Sequence, residues 1–288
     1  MTVTCGTYLW PCQAQTNRQF IFQRIIKPRS AVDDGSWFFD RLFCGHNVSI
    51  IREPDDILVG MYKRVLLKLS GEQLQGKYDG GFDAERAAWI AGEIKKIKDA
   101  EVVVMIGGGN YARGAQLTGG GVQRVTADNI GMMATMMNAV ALADVFNTHD
   151  LPARALTNIK ADQVADQFTH RRALSHLDKG RVVIVAGGIG RPYLTTDTAA
   201  VSLALELECD VIMKATKVDG VYDKDPHMNP DAKKFDHLTL QQAVESPDVK
   251  VMDKAAIALA HDHEQSIVVF ELLTEGNIAR AVAGESIG

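Results

Sequence analysis

YKRVLLKLSG, residues 62–71, joins a run of mostly apolar residues directly to a glycine turn. The run predicts a buried β-strand over residues 62–69, and Ser70-Gly71 predicts a tight turn at its end. Downstream, residues 83–98 carry apolar side chains at helical spacing, which predicts an amphipathic helix. A second apolar run, residues 101–106, again ends in glycines. This order of strand, turn and helix is typical of an α/β fold.

The same alternation continues along the rest of the chain. Further apolar runs predict strands at residues 153–157, 181–186, 210–215 and 267–272. Helical patterns cover roughly residues 123–147, 162–178, 195–208 and 252–264. Strands that alternate with helices form a mainly parallel sheet covered on both faces. We therefore expect an α/β fold with three αβα layers around a central, mainly parallel sheet.

The composition is that of a globular protein and argues against two kinds of partner. Of 288 residues, 46% are hydrophobic and 23% are charged, and the formal net charge is -5. Because Lys and Arg form no long run, binding to a nucleic-acid backbone is disfavoured. No apolar run approaches the roughly 18 residues that indicate a membrane-spanning helix. We expect a cytoplasmic protein with no nucleic-acid and no membrane partner.

The residue types that bind metals do not form a recognisable site. The four cysteines, Cys5, Cys12, Cys44 and Cys209, include no C-x-x-C pair, which predicts neither a zinc site nor a disulfide framework. The histidines of the sequence HDHE at residues 261–264 are two apart, so on a helix they face different directions. We expect no residue to bind a metal directly.

Three predicted strands end in glycine-rich turns: residues 69–72 (LSGE), 107–110 (GGGN) and 187–190 (GGIG). In an open parallel sheet, ligands bind beyond the carboxyl ends of the strands. Glycines there let backbone N–H groups approach an anion. Three such turns predict a phosphate-rich ligand, such as two nucleotides placed head to head; the alternative is ordinary strand-to-helix turns. Neither a Walker A motif nor G-x-G-x-x-G is present.

Charged residues flank these turns. Lys68 lies near the end of an apolar strand, where an ammonium is costly unless it meets an anion or emerges at the sheet edge. Arg113 follows the second turn, and a guanidinium there could hold a phosphate with two hydrogen bonds. Asp128 could accept hydrogen bonds from a sugar hydroxyl or could cap a helix.

The later strands bring further groups of this kind. Thr195-Thr196-Asp197 opens a helix and could either cap it or bind a phosphate. Lys214, Thr216 and Lys217 follow another strand. Tyr222 and Asp225-Pro226 could flank an adenine or could form a surface turn.

Together, the motifs resemble those of the bacterial uridylate kinases, within the amino acid kinase family. The matching motifs are KLSGE (68–72), GGGN (107–110) with Arg113-Gly114, Ala127-Asp128 with Gly131-Met132, TTDTAA (195–200) and KATKVDGVY (214–222). The match runs in order over residues 62–288. It implies the amino acid kinase fold, a homohexamer, and transfer of the ATP γ-phosphoryl group to UMP with Mg²⁺, in pyrimidine biosynthesis. It also implies a GTP activator and a UTP inhibitor, with residues 76–81 in the position of the activation segment.

The resemblance also implies roles for individual residues. The residues expected to bind ATP are Lys68, Leu69, Ser70, Gly71, Gly109, Arg113, Thr216, Tyr222 and Asp225. Those expected to bind UMP are Gly108, Asp128, Ile189, Gly190, Arg191, Pro192, Tyr193, Leu194, Thr195 and Thr196. The expected catalytic residues are Lys68, Arg113, Asp197 and Lys217: the two lysines neutralise charge, Arg113 orients phosphates, and Asp197 holds a lysine in place.

One turn departs from the family pattern. The family usually has Gly-Thr-Gly-Asn-Pro where this chain has Gly188-Ile189-Gly190-Arg191-Pro192, so that Ile189 removes a hydroxyl and Arg191 adds a charge. The alternative functions are another amino acid kinase, with acetylglutamate, carbamate or aspartate as the acceptor, and a non-catalytic protein of the same fold that binds oxyanions or nucleotides.

Residues 1–60 differ from the rest of the chain. They are rich in aromatic residues but show no sustained helical or strand period. We expect an N-terminal extension that is disordered or not translated, with Met61 as the candidate start and residues 61–288 as the kinase domain. A targeting segment and a docking extension are the alternatives.

Overall fold

The computed structural model describes residues 49–51, 62–226, 228–235, 237–246, 249 and 251–285. Apart from a short strand at Ser49–Ile51, the extension expected over residues 1–60 lies outside the described residues. Its nature therefore stays a prediction.

The described residues form strands and helices in alternation. The strands are β1 (Ser49–Ile51), β2 (Arg64–Leu69), β3 (Glu101–Ile106), β4 (Ala153–Thr157), β5 (Asp166–Gln167), β6 (Val182–Ala186), β7 (Val211–Thr216), β8 (Val221–Tyr222), β9 (Lys234–Phe235), β10 (His237–Leu238) and β11 (Ile267–Glu271). The α-helices are α1 (Ala84–Lys95), α2 (Gly114–Gly119), α3 (Arg124–Thr148), α4 (His170–Leu177), α5 (Thr196–Glu206), α6 (Leu240–Glu245), α7 (Lys254–Asp262) and α8 (Asn277–Val282). A 3-10 helix, Gly71–Leu74, follows β2.

Seven neighbouring strands of the main sheet are parallel, in the order β11-β7-β2-β3-β6-β4-β5. Beyond β11, β1 pairs antiparallel with β11 and parallel with β10. β8 and β9 form a separate antiparallel pair. The predicted mainly parallel sheet is confirmed. Because parallel strands run the same way, β2, β3, β6 and β7 all end at one edge, which is where such sheets bind ligands.

Both faces of the sheet are buried under helices. In β2, the side chains of Val65, Leu67 and Leu69 belong to one buried cluster and Leu66 belongs to the other, because successive side chains of a strand point to opposite faces. Helices α1, α3 and α8 cover the first cluster, and α4, α5, α6 and α7 cover the second. A sheet buried on both faces explains why its strands read as continuous apolar runs. The three-layer αβα architecture is confirmed.

One predicted element is wrong in part. The helix expected over residues 162–178 begins only at His170, and the short strand β5 lies in the preceding segment. Thr169 is the N-cap of α4, and its side chain accepts a hydrogen bond from the Arg172 N–H at 3.3 Å. Two-residue strands such as β5 form by pairing with a neighbour, so they leave no periodic signal in the sequence.

Helix α3 is long and apolar enough to cross a membrane by length and composition, alone in this respect among the described helices. However, 50% of its most apolar window is buried inside the protein, and its Leu142 and Phe146 pack in the first core cluster. Helix α3 is therefore a core helix of the domain.

Candidate active site

The turns that follow β2 and β3 lie against each other at the carboxyl edge of the sheet. The Gly107 N–H donates to the Leu69 carbonyl at 2.9 Å. A Cβ on Gly71 would lie 2.7 Å from the Gly109 nitrogen and 2.8 Å from the Gly107 oxygen, closer than real Cβ contacts come. Glycine is therefore required at residue 71 so that the two turns can meet.

Two buried asparagines hold the second turn in place. The side-chain amides of Asn110 and Asn138 exchange hydrogen bonds at 2.9 and 2.7 Å. Asn138 Nδ2 also donates to the Gly107 carbonyl at 2.7 Å, and Asn110 Nδ2 donates to the Gly81 carbonyl at 2.7 Å. Because these buried amides are paired with one another and with the backbone, they fix the position of the turn.

The third turn, which follows β6, is tied to α3 and to the residues after β4. The Gly187 N–H donates to Thr135 Oγ1 at 2.7 Å, and Asn158 Nδ2 donates to the Gly188 carbonyl at 2.5 Å. The side chain of Ile189 packs against the second core cluster, whereas Arg191 is exposed. The two departures from the family pattern therefore differ in kind: one is a core contact and the other faces solvent.

Lys68, Asp197 and Lys214 form an ionic triad at this edge. Lys68 on β2 and Lys214 on β7 are paired in register on neighbouring strands. Lys68 Nζ lies 2.5 Å from Asp197 Oδ1, and Lys214 Nζ lies 2.8 Å from Asp197 Oδ2. The three side chains are only 8%, 14% and 14% exposed. Lys214 Nζ also donates to the Val251 carbonyl.

The triad carries more positive than negative charge in a buried place. Burial alone would raise the pKa of Asp197, but the ammoniums of Lys68 and Lys214 outweigh it and hold this pKa below its usual value. Burial, and next the charge of Lys68, lower the pKa of Lys214, while Asp197 and Asp253 act against them. A buried excess of positive charge is costly unless an anion binds to it. The triad therefore favours an anionic ligand.

Arg113 and Lys217 converge on Glu72 instead of on the triad. Arg113 Nη2 lies 2.8 Å from Glu72 Oε1, and Lys217 Nζ lies 3.6 Å from Glu72 Oε2. The side chains of Arg113 and Lys217 are 53% and 59% exposed. Since exposed ion pairs contribute little free energy, an incoming phosphate could replace Glu72 at small cost. The predicted catalytic residues are thus divided between two clusters.

Asp128 does not cap a helix. Helix α3 begins at Arg124 with Gln123 as its N-cap, and the Asp128 carboxylate instead pairs with Arg124 Nε at 2.9 and 2.8 Å. Asp128 Oδ2 also accepts the Tyr193 N–H at 2.8 Å. The Arg124 guanidinium lies over the Tyr193 ring, 5.2 Å from its centroid. Asp128 is therefore linked to the segment predicted to bind UMP, although 65 residues separate it from Tyr193 in sequence.

Thr195 is a helix cap, one of the two roles considered for it. Its Oγ1 accepts the Asp197 N–H at 3.0 Å. The same hydroxyl donates to the Asp253 carboxylate, which also accepts from Thr198 Oγ1 at 3.0 Å. Of the other residues in this predicted segment, Leu194 is exposed, whereas Pro192 and Thr196 are partly buried.

A cleft of about 440 Å³ lies beside the triad. It is lined by Lys214 and by three residues predicted to bind ATP, Thr216, Tyr222 and Asp225. The Tyr222 hydroxyl donates to Asp219 Oδ1 at 2.6 Å, and this hydrogen bond is the main cause that raises the pKa of Tyr222 to about 12. The Asp225-Pro226 turn is thus a wall of the cleft.

The remaining predicted ATP and UMP residues lie in the glycine turns. Leu69 is fully buried, so its side chain is part of the core and only its backbone could serve a ligand. The Ser70 N–H donates to Gln73 Oε1 at 2.8 Å. A Cβ on Gly108 would lie 2.8 Å from the Gly131 carbonyl oxygen, so this turn packs directly on α3.

Sequence reasoning missed the roles of three residues. Lys214 is the first of these, although it shares with Lys68 the signal of a lysine within an apolar strand. Glu72 belongs to the first glycine turn, and its local sequence does not indicate that Arg113 and Lys217 pair with it. Asp253 has no signal in sequence beyond being able to cap α7, because its partners are more than 50 residues away.

Comparison with known proteins gives a consistent result. Residues 63–271 match the model of the amino acid kinase family. A UMP kinase structure from Bacillus anthracis is 39% identical and has a TM-score of 0.75, covering 79% of this chain and 95% of that one. A UMP kinase structure from Ureaplasma parvum is 32% identical and has a TM-score of 0.73, covering 78% of this chain and 96% of that one. A uridylate kinase structure from Archaeoglobus fulgidus is 29% identical and has a TM-score of 0.59, covering 78% of this chain and 97% of that one. This chain belongs to the amino acid kinase family.

Proposed function

We propose that this protein is a UMP kinase that transfers the γ-phosphoryl group of ATP to UMP and releases ADP and UDP. The observation that carries the proposal is the triad of Lys68, Asp197 and Lys214, which lies between the cleft beside β7 and the glycine turns. The UMP kinase structures from Bacillus anthracis and Ureaplasma parvum support it, because they match this chain over 95% and 96% of their own length.

In the proposed reaction, an oxygen of the UMP phosphate attacks the γ-phosphorus in line. The bond between the γ-phosphorus and the oxygen that bridges to the β-phosphate breaks as the new bond forms. The UMP phosphate is ionised at neutral pH, so no general base is needed, and catalysis consists of positioning and charge neutralisation. Lys68 and Lys217 neutralise charge on the transferring group, Lys214 adds to this from the triad, and Arg113 orients the phosphates.

Asp197 acts by placing the ammonium groups of Lys68 and Lys214. A carboxylate that pairs with both keeps two like charges within reach of one phosphate, where alone they would repel each other. Arg113 and Lys217 then have to leave Glu72 for the phosphates. The pairing with Glu72 keeps them at the site before the nucleotide binds.

The two nucleotides occupy different parts of the edge in this proposal. ATP lies in the cleft lined by Thr216, Tyr222 and Asp225, with its phosphates toward Lys68 and the turn at Gly71. UMP lies along the turn after β6, where Asp128 meets the backbone of Tyr193. The carboxylate of Asp128 would exchange part of its pairing with Arg124 for a sugar hydroxyl.

Mg²⁺ would enter with ATP. No group of three or more His, Cys, Asp or Glu residues within the described part of the chain is arranged to hold a metal ion. We expect phosphate oxygens and water to be its main ligands, which is the usual coordination of Mg²⁺ with nucleotides. The charge of Mg²⁺ would offset part of the negative charge on the transferring phosphoryl group.

We also propose that the protein is a cytoplasmic homo-oligomer, a hexamer as in the family that it resembles. The support is an apolar groove of about 970 Å³ along α3, bordered by β4 and by residues near β5. In this groove Met133 and Met137 are 51% and 52% exposed, and they lie on one face of α3 because they are four residues apart. A second copy of the chain is the proposed occupant.

GTP activation and UTP inhibition complete the proposal. The segment at residues 76–81, expected to respond to GTP, is bonded to the second glycine turn. The Gly81 N–H donates to the Asn110 carbonyl at 2.9 Å, and Asn110 Nδ2 donates back to the Gly81 carbonyl at 2.7 Å. A change in this segment would therefore reach the turn that contains Gly108 and Gly109.

An ADP-release assay across acceptors tests the function. The purified protein is mixed with MgATP and, separately, with UMP, acetylglutamate, carbamate or aspartate. We expect ADP release only with UMP. Release with one of the other acceptors would assign the chain to a different amino acid kinase activity, and release with none would indicate a binding protein.

A further inference from the structure

Asp253 is a partly buried carboxylate that belongs to none of the sequence motifs described above. Its Oδ1 accepts the Ala256 N–H at 2.9 Å, which makes it the N-cap of α7. Thr198 Oγ1 lies 3.0 Å from each of its two carboxylate oxygens, and Thr195 Oγ1 donates to Oδ2. One side chain therefore joins the beginnings of α5 and α7.

These contacts lead directly to the ionic triad. The Thr195 hydroxyl that donates to Asp253 also accepts the Asp197 N–H at 3.0 Å. Asp197 holds Lys68 and Lys214, and Lys214 also donates to the carbonyl of Val251, two residues before Asp253. The segment at residues 251–253 is thus linked to the triad twice, directly through the Val251 carbonyl and indirectly through the Thr195 hydroxyl.

We propose that Asp253 is a positioning residue for phosphoryl transfer, which fixes the start of α5 so that Asp197 holds both lysines in the geometry the reaction needs. The inference rests on the proposed kinase function. It does not make Asp253 a catalytic residue, since its carboxylate is already occupied by two hydroxyls and a backbone N–H.

A carboxylate suits this position better than an amide. Three donors, two hydroxyls and one N–H, converge on it, and the N-terminus of a helix favours a negative charge. An asparagine would offer one acceptor oxygen and would turn two N–H donors toward groups that already donate. The replacement Asp253→Asn therefore keeps the size of the side chain and removes both the charge and one acceptor.

Asp253 also influences the charge state of Lys214. The charged groups that act on Lys214 are Lys68 on β2, Asp197 on α5 and Asp253 before α7. Lys68 lowers the pKa of Lys214, and the two carboxylates raise it. Loss of the Asp253 charge should lower this pKa further, so Lys214 would lose its proton at a lower pH.

The test compares Asp253→Asn with Asp210→Asn in the full-length protein. Asp210 is a matched control, because its Oδ2 accepts the N–H groups of Lys63 and Arg64 at 2.6 and 2.9 Å at the opposite edge of the sheet. We expect Asp253→Asn to lower kcat for UMP about 10- to 100-fold, as small misplacements do, and to move the alkaline limb of the kcat profile to lower pH. Asp210→Asn should leave both unchanged.

A second pair of variants covers the case in which Asp253→Asn does not fold. Thr198→Val removes one donor to the carboxylate, and Thr198→Ser keeps it. We expect kcat to fall in the valine variant and to stay near the parent value in the serine variant. The proposal is overturned if Asp253→Asn or Thr198→Val lowers the melting temperature but leaves kcat and its pH profile unchanged. If the parent protein shows no transfer to UMP, the proposed function fails whatever the variants do.

Discussion

Two lysines on neighbouring strands share one carboxylate at the carboxyl edge of the sheet. An anionic partner for Lys68 could be expected from the sequence, because an ammonium at the end of a buried strand is costly without one. Lys214 carries the same signal, but its sharing of Asp197 with Lys68 could not be expected, since it depends on β7 lying beside β2 in the sheet. Pairing between strands that are distant in sequence is decided by the whole fold and not by local pattern.

Lys68→Ala should abolish most phosphoryl transfer while the protein stays folded. Removal of one charge that stabilises a transition state typically costs about 10²–10³ in rate. The measurement is kcat with UMP and MgATP, with circular dichroism as the check on folding. Near-normal turnover in a folded variant would contradict the role given to Lys68.

Turnover should decline at alkaline pH below the usual lysine pKa of 10.5, because burial lowers the pKa of Lys214. As pH rises through that lowered pKa, Lys214 becomes neutral and the triad loses its excess positive charge. The measurement is kcat as a function of pH. In Lys214→Arg the guanidinium keeps its charge over this range, so the decline in kcat should move to higher pH. If the decline stays at the same pH in this variant, Lys214 is not the group that causes it.

At the scale of elements, the predicted strands of the main sheet are placed within two residues of the observed ones. Buried parallel strands are continuous apolar runs, which a sequence shows directly. The short strands β1, β5, β8, β9 and β10 were not predicted, because two or three residues carry no period. The same holds for the site. The glycine turns could be predicted from the sequence, whereas the contacts of Asp128 and Asp253 could not, because they join elements that are distant in sequence.

The exposed face of α3 should be a contact between copies of the chain. Met137→Asp places a charge in the apolar groove and should shift the protein to a smaller species, measured by light scattering after size exclusion. Val244→Asp is the control, because Val244 is an exposed apolar residue on another helix, α6. An unchanged mass for Met137→Asp would show that copies meet elsewhere.

At the scale of the whole molecule, every residue placed at the site lies between Lys68 and Asp253. A chain that starts at Met61 should therefore keep its activity and assembly, although it lacks β1, a three-residue strand beside β11. The measurement is kcat and mass for this shortened chain next to the full chain. If the shortened chain were inactive or insoluble while the full chain worked, residues 1–60 would be part of the working enzyme. The intact mass of the native protein would identify the start.

The central claim is that the acceptor is UMP, and the most direct measurement is kcat/KM for UMP, CMP and dTMP with saturating MgATP. A site that hydrogen-bonds the polar edge of uracil leaves its groups unpaired with cytosine, and such mismatches can cost several powers of ten. Thymine has the same polar edge as uracil, so dTMP would be rejected through its 5-methyl group and its missing 2′-hydroxyl. We predict that kcat/KM for UMP exceeds the other two by at least about 10²-fold, with Lys68→Ala as the blank. Comparable values for UMP and CMP would contradict the claim and would point to the turn at Ile189 as the place where specificity was lost.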